Sequence, residues 1–404
     1  MPQRLPYPFF PVLTMSLILP PLALYLHVPW CVRKCPYCDF NSHEFQSQEA
    51  GAAIPEQEYV QAVLADLQRD ISQYPDFVQG RAISSIFIGG GTPSLFSPAA
   101  YDAIFSGLQN HLQFAPDIEI TLEANPGTVE QEKFRGYRAL GINRLSIGVQ
   151  SFSPEKLQAL GRIHGRDEAL RAAEAATKAG FDNFNIDLMH GLPGQSLEEA
   201  VADVQQAIAL GPTHISWYQL TIEPNTVFYR DPPVLPEDDT LWAIQEAGQE
   251  LLAAKAYGQY EVSAYAKAGR ECRHNRNYWE FGDYLALGAG AHGKVTRSDG
   301  VFRYNKTRLP RDYLAAASSG KFTASSGFVR DEELVFEFML NALRLREGVP
   351  AELFVQRTGL PLSLIEGRLA DLRARGLLQP EKSRLACTAT GFNYLNTVLE
   401  EFLA

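Results

Sequence analysis

The chain has 404 residues, of which 46% are hydrophobic, and it carries a formal net charge of −11. This length allows one large core with a smaller domain beside it. The acidic balance argues against a general nucleic-acid-binding protein, which would present a basic face. Five cysteines in a chain of this length argue against a disulfide scaffold and favour a reducing compartment, so we expect a cytoplasmic protein.

The N-terminal stretch is apolar but interrupted by prolines, which break helices. Its uninterrupted apolar run, VLTMSLIL, is far shorter than the ~20 residues that a membrane-spanning helix needs. We therefore interpret residues 1–18 as a ragged segment before the first strand, with Met15 as an alternative start. A poor signal peptide is the competing interpretation.

Short β-rich runs alternate with helical stretches along the next part of the chain. Strands are predicted at residues 22–28, 83–89, 118–124, 144–150, 184–190, 215–221 and 259–265. Apolar residues at helical spacing predict helices at 56–71 and 198–210, the second after the N-cap Ser196. Repeated strand–helix units predict right-handed crossovers and a parallel sheet. The fold class is therefore α/β, with a partial or full TIM-type barrel; a doubly wound open sheet is the alternative.

The pattern changes after about residue 310. A helix, a Gly–Val–Pro break and a second helix precede a further helix, a short hairpin and a last helix. This order predicts a smaller, helical, winged-helix-like domain over 311–404. Such modules often bind DNA, but the helix LIEGRLADLRARG mixes acidic with basic residues, so a packing or partner-docking role is favoured.

Three cysteines lie within eight residues of the stretch LHVPWCVRKCPYCDFNSH: Cys31, Cys35 and Cys38. Three thiolates can hold a 4Fe–4S cluster and leave one iron without a protein ligand. That iron can chelate a substrate, as the open position of a catalytic zinc site does. The alternatives are a zinc site with His43 as a fourth ligand, or three incidental thiols.

Glycines and polar residues follow the predicted strands, at the rim where the active site of a TIM-type barrel lies. The stretch FIGGGTPS follows a strand, and its glycines allow the backbone to approach a ligand closely; a plain turn is the alternative. Four other predicted strands carry polar residues that we interpret as rim residues: Glu123, Gln150, Asp187 and Thr221. Polar residues at these positions are poor core material. Each alone could cap a helix, but together they favour a site for a polar ligand.

The cysteine spacing resembles that of radical S-adenosylmethionine (radical SAM) proteins. With LYLHVPWC, FIGGGTPS, LEANPGT, NRLSIGVQSF, NIDLMHGLPGQS and ALGAGAHG, most of the chain resembles the oxygen-independent coproporphyrinogen III oxidase family, and within it the heme chaperone branch. The resemblance implies a 4Fe–4S cluster on the three cysteines. It also implies SAM contacts at Tyr25, Tyr37, Gly90, Gly91, Thr92, Glu123, Gln150, Arg162, Asp187 and Thr221.

Two departures separate this chain from the oxidase pattern. Phe40 stands where that pattern has one more cysteine, and the longer N-terminal extension of the oxidase is missing. The block CRHNRNYW resembles the chaperone branch instead and implies heme binding, with His274 as axial ligand, Cys272 as a rival and His292 in reserve. From this block alone, a turn with packed aromatic rings is the favoured interpretation, and the resemblance shifts the preference to heme.

The resemblance therefore implies a barrel over residues 19–310 that holds the cluster, SAM and heme, followed by the domain over 311–404. The implied function is delivery of heme to client hemoproteins, with no nucleic acid involved and with a peripheral membrane contact at handover. Whether the chain is a monomer or a dimer stays open. The alternatives are an oxidase that removes two propionate carboxyls as carbon dioxide, and another radical SAM enzyme.

Overall fold

The structure, a computed structural model, describes residues 17–45 and 54–403. The predicted segment 1–18 therefore lies almost entirely outside the described residues. The first elements, in chain order, are β1 (Leu22–Val28), β2 (Trp30–Cys31), β3 (His43–Glu44), α1 (Glu56–Gln73), β4 (Ile83–Gly90), α2 (Pro98–Gln109), β5 (Phe114–Ala124), α3 (Thr128–Ala139), β6 (Arg144–Gln150), α4 (Pro154–Ala159), α5 (Arg166–Lys178), β7 (Phe184–His190), α6 (Leu197–Ala209) and β8 (His214–Gln219).

A second group of elements extends the sheet and builds the C-terminal part. These are α7 (Val227–Arg230), α8 (Asp238–Ala254), β9 (Gly258–Glu261), β10 (Ala264–Ala266), α9 (Arg273–Trp279), β11 (Asp283–Leu287), β12 (His292–Arg297), β13 (Gly300–Lys306), α10 (Pro310–Ser319), β14 (Thr323–Phe328), α11 (Asp331–Ala342), β15 (Val349–Pro350), α12 (Ala351–Thr358), α13 (Glu366–Ala374), β16 (Arg384–Leu385), α14 (Ala389–Asn393) and α15 (Leu395–Glu400).

Twelve strands form one large sheet in the order β14-β13-β12-β11-β1-β4-β5-β6-β7-β8-β10-β9. The central strands from β11 to β8 pair in parallel, as the strand–helix alternation predicted. Antiparallel strands extend the sheet at both sides. The outermost strands, β14 and β9, are not paired with each other, so the barrel is open: the partial form of the predicted TIM-type barrel is the one observed.

The predicted strands 22–28, 144–150 and 184–190 coincide with β1, β6 and β7. One prediction is wrong: the run 259–265 is not a single strand but the hairpin of β9 and β10, whose register shifts at Ala264. The predicted strand 215–221 ends early, because β8 stops at Gln219. Strands β11 to β14 were not predicted.

Two main hydrophobic cores, with a small third cluster that includes Phe228, hold the described part of the chain together. The larger lies between the parallel strands and the helices that cover them. The smaller lies among α11 to α15, and it also takes in barrel residues such as Phe281 and Val301. Strand β14, which ends at Phe328, still belongs to the large sheet; the boundary at residue 310 stays a prediction. Within residues 17–45 and 54–403, no helix is both long and apolar enough to cross a membrane.

Candidate functional site

The three clustered cysteines lie in the loop that follows β1. Their thiols are free and partly exposed, and all three line one cavity of about 390 Å³ at the carboxyl ends of the parallel strands. The loop is held by backbone hydrogen bonds from His43 to Pro29 (2.7 Å) and from Phe45 to Cys31 (2.9 Å). Their convergence on one cavity is the arrangement that a shared metal cluster requires.

The surroundings of the thiols fit a 4Fe–4S cluster. The Thr92 hydroxyl donates to Cys31 Sγ at 3.5 Å, and Arg162 Nη1 donates to Cys35 Sγ at 3.7 Å. Burial raises the pKa of Cys31, while the Thr92 hydroxyl opposes that rise. Polar donors of this kind stabilise thiolates bound to iron. Within the described part of the chain, no group of His, Cys, Asp or Glu side chains is arranged around a single metal ion.

The glycine-rich turn after β4 forms the wall beside the cysteines. Gly90 has a φ of +118°, and a Cβ there would come within 2.6 Å of the His27 ring. A Cβ on Gly91 would meet the Trp30 carbonyl oxygen at 2.5 Å. These positions therefore exclude side chains, and the backbone itself forms the surface of the cavity.

Two half-buried carboxyl groups line this cavity, and one of them, Glu123, contacts the turn. The Gly90 N–H donates to Glu123 Oε2 at 3.1 Å. Burial and the nearby Asp187 raise the pKa of Glu123 to about 8, against the opposing effect of the Gly90 N–H. Burial also raises the pKa of Asp187, which accepts hydrogen bonds from Ser146 (2.9 Å) and Asn185 (2.7 Å). A cationic ligand in the cavity would favour the ionised forms of both carboxyl groups.

Gln150 and Arg162 complete the rim. Gln150 adopts a φ of +69°, and its Oε1 accepts a hydrogen bond from the Tyr218 hydroxyl at 2.8 Å. Arg162 Nη2 donates to Asn125 Oδ1 and to the Gly148 carbonyl oxygen, each at 2.7 Å, while its buried Nε has no hydrogen-bond partner among the described residues. Asn125, which lies within the quoted stretch LEANPGT, and Tyr218 also line the cavity, but the sequence had not identified either as a site residue.

The structure does not bring every predicted SAM residue to this cavity. Thr221 lies exposed beyond the end of β8, where its hydroxyl donates to Glu223 at 3.0 Å, and it lines no part of the cavity. Tyr25 donates to or accepts from His27 Nδ1 at 3.0 Å and faces a neighbouring cavity. Tyr37 lines the cluster cavity and packs against Phe228.

The neighbouring cavity measures about 790 Å³. Tyr278, Trp279 and Tyr284 form an aromatic wall, in which the Tyr278 and Tyr284 rings meet edge to face at 4.4 Å. Arg303 and the exposed Arg308 also line it. Flat apolar walls and guanidinium groups together suit a large planar ligand that carries carboxylates. Both cavities are lined by Phe40, Gly90, Glu123 and Trp279.

The three candidate heme ligands occupy different positions relative to this second cavity. His292 is exposed and lines it. His274 is 1% exposed; its Nδ1 contacts the Ser85 hydroxyl and its Nε2 the Tyr278 hydroxyl, each at 3.0 Å. Burial lowers the pKa of His274 to about 3. Cys272 is fully buried, and its thiol donates to Glu119 at 3.6 Å. Only His292 therefore meets the cavity directly.

Family models match both parts of the chain. The radical SAM superfamily model matches residues 25–207, and the HemN C-terminal domain model matches residues 329–393. The fold, the open cluster cavity and these matches define a radical SAM protein, whose cofactors are a 4Fe–4S cluster and SAM.

Curated relatives match almost the whole chain. It is 52% identical over 387 residues to the heme chaperone HemW of Escherichia coli K12, covering 96% of this chain and 99% of that one. It is 50% identical over 386 residues to that of Haemophilus influenzae, covering 95% and 98%, and 34% identical over 389 residues to that of Bacillus subtilis, covering 94% and 99%. The chain belongs to the HemW family.

A solved structure shows the same fold at lower sequence identity. The coproporphyrinogen III oxidase HemN of Escherichia coli, a radical SAM enzyme, superposes with a TM-score of 0.78 over 95% of this chain and 90% of that one, at 22% identity. This likeness supports the arrangement of the strands and confirms the predicted fold class.

Proposed function

We propose that this protein is a heme chaperone that binds a 4Fe–4S cluster, SAM and heme and delivers heme to client hemoproteins. The observation that carries the proposal is the 52% identity to a heme chaperone across 99% of that protein's length. The aromatic and guanidinium-lined second cavity supports it, because it offers a ligand site of heme-like chemistry beside the cluster cavity. We place the function in the cytoplasm.

The residues of the cluster cavity would hold the two cofactors in a fixed relation. When bound and reduced, the cluster supplies the electron that cleaves SAM in radical SAM chemistry. Cys31, Cys35 and Cys38 would hold the iron, and the Arg162 guanidinium, at 3.7 Å from Cys35, would balance thiolate charge. Glu123 would accept a hydrogen bond from a cationic or hydroxyl group of SAM, since it faces the glycine turn.

Heme would lie in the second cavity against the aromatic wall. Arg308 would meet a propionate as a charged hydrogen-bond donor, whereas Arg303 already donates to Glu337 and Tyr284. His292, which lines this cavity, would supply an imidazole nitrogen to the iron. His274, the ligand that the sequence favours, would become available only if the Tyr278 hydroxyl released its Nε2.

Heme titration with optical spectroscopy tests the proposal. Wild type should give the absorption spectrum of a ligated heme. We would compare His292→Ala, His274→Ala and Cys272→Ala with His111→Ala, which changes an exposed histidine outside both cavities. The true ligand is the one whose loss shifts the spectrum. Unchanged spectra in all variants would place the ligand elsewhere, and absence of heme binding by wild type would refute the chaperone.

A second assay separates chaperone from oxidase. The anaerobically reconstituted protein should transfer heme to an apo-hemoprotein and should leave coproporphyrinogen III unconverted. The expectation rests on Phe40, whose side chain is 60% exposed at the position of the oxidase's further cysteine. Robust decarboxylation of coproporphyrinogen III would instead make the protein an oxidase. Addition of lipid vesicles to the transfer assay tests the peripheral membrane contact.

A further inference from the structure

The cluster cavity extends down to the amino ends of the parallel strands. Arg144, Ser146, Gly148 and Gln150 alternate along β6, and all four line the cavity, as residues on one face of a strand do. Gln150 follows Arg144 by six positions, which corresponds to about 20 Å at about 3.3 Å per residue. Gln150, one of the predicted SAM residues, lies at the far end of this face, and Arg144 lies at its amino end.

Arg144 is a buried cation without a contact partner. It is 2% exposed, its Nε has no hydrogen bond, and no ion pair joins it to another of the described residues. Burial would lower the pKa of Arg144, but the nearby Cys272, Glu119 and Asp187 raise it above its ordinary value. A guanidinium held in this state is costly unless an anion meets it.

The neighbouring carboxylates are already engaged. Glu119 accepts from the backbone N–H groups of Arg273 and His274, each at 3.2 Å, and from the Cys272 thiol at 3.6 Å. Asp187 accepts from Ser146 and Asn185. These groups therefore influence the charge of Arg144 from a distance and leave its hydrogen-bond donors free for a ligand.

Two further unsatisfied donors line the same cavity. The Arg344 Nε and the Trp279 Nε1 are buried without hydrogen-bond partners among the described residues. Arg344 stacks over the Trp279 ring at 4.3 Å and donates through Nη2 to Glu261 at 3.0 Å. The lining of the cavity thus combines two guanidinium groups and an indole N–H, all of which can only donate hydrogen bonds.

We propose that Arg144, together with Arg344 and Trp279, supplies the donors of a carboxylate-binding subsite within the cluster cavity. The subsite takes the carboxylate of a second ligand, whose remaining atoms extend toward the SAM region. A guanidinium matches a carboxylate in charge and in the geometry of its paired donors. The subsite rests on the cavity itself and is independent of the proposed heme function.

Isothermal titration of the cluster-loaded, SAM-saturated protein with propionate and with glutarate tests the subsite. Wild type should bind at least one of these acids. Arg144→Gln, which removes the charge, should weaken binding by about tenfold or more, and Trp279→Phe, which keeps an aromatic ring but removes the N–H, by about threefold to tenfold. Arg311→Gln, at an exposed site, is the matched control and should bind as wild type does.

The proposal fails if wild type binds neither acid, or if a folded Arg144→Gln binds them unchanged. If Arg144→Gln does not fold, the Trp279→Phe variant tests the subsite instead, because its aromatic ring still packs against Arg344. Unchanged binding of the acids by that variant would then overturn the subsite. Circular dichroism and iron content establish which variants are folded and loaded.

The source of the carboxylate is distinguished with heme and heme dimethyl ester. Weaker binding of the ester to wild type, together with weaker binding of heme to Arg144→Gln, assigns the subsite to a heme propionate. Equal heme binding by both proteins, with propionate binding lost in Arg144→Gln, assigns it to a separate organic acid. If wild type binds an acid but no heme, the chaperone function is refuted and the subsite stands.

Discussion

The raised pKa of Glu123 should make the stability of the SAM-free protein fall at alkaline pH. Its pKa moves from 4.5 to about 8 on folding, chiefly because the carboxyl group is buried, with a further contribution from Asp187. The folded protein thus binds a proton more tightly than the unfolded chain, and stability is lost as the pH rises from about 4.5 to 8. Each pKa unit is worth about 1.36 kcal/mol, so the loss is at most about 5 kcal/mol.

Glu123→Gln isolates this effect, since an amide keeps the shape of the side chain and cannot ionise. Urea unfolding of the reconstituted protein, under anaerobic conditions and without SAM, should show the variant close to wild type at pH 5 and more stable by several kcal/mol at pH 9. Glu332→Gln, at an exposed position in the first turn of α11, controls for the loss of a carboxylate and should track wild type at both pH values.

Binding of SAM supplies a second measurement on the same residue. A cationic group beside Glu123 favours the ionised carboxylate, so the affinity of wild type for SAM should rise by up to about tenfold per pH unit between pH 6 and pH 8. Relative to wild type, Glu123→Gln should bind SAM more weakly at pH 8 and show a flatter profile. Equal stability of wild type and variant at pH 9 would refute the assignment of a raised pKa to Glu123.

Three further predictions follow from individual contacts. Cys35→Ser should lose most of the iron and sulfide after reconstitution, whereas Cys387→Ser, in the C-terminal core, should retain both in the same elemental analysis. Thr221→Ala should leave the dissociation constant of SAM unchanged, while Gln150→Ala should raise it; an equal effect of the two would contradict the observed rim. Lys306→Met should cost about 3–5 kcal/mol in urea unfolding, because it leaves two buried aspartates of α1, bonded to Lys306 at 2.6 and 2.7 Å, without their cation.

The central strands could be predicted because each is a continuous buried run. In β1 and β7 every residue but one is buried, as expected for parallel strands covered on both faces. Strand β14 offers no such signal, since all six of its residues are exposed or half-buried; pairing with β13 alone defines it. The hairpin of β9 and β10 was predicted as one strand because its turn residues, Val262 and Ser263, do not interrupt the β-rich composition.

The same limits explain which site residues the sequence revealed. Glu123, Gln150 and Asp187 lie on strands whose ends the sequence defined well. Side chains alternate between the two faces of a strand. On β8, Ser216 and Tyr218 lie on the face that lines the cavity. If β8 continued, Thr221 would lie on the other face. Both ring nitrogens of His274 are hydrogen-bonded, one to Ser85 and the other to Tyr278. Ser85 lies 189 residues away in the chain. No local pattern encodes such a contact.

The shared wall between the two cavities gives the arrangement its functional meaning. Both cavities are lined by the same four residues, Phe40, Gly90, Glu123 and Trp279. A ligand in one cavity therefore contacts residues that also form a wall of the other cavity. Glu123 carries this relation most directly: a cation on the SAM side ionises it and changes the charge that a ligand in the second cavity meets. Any coupling of this kind is reciprocal, because each ligand must alter the affinity of the other by the same factor. With SAM and heme in the two cavities as proposed, the charge of Glu123 gives SAM a physical route by which to set heme affinity.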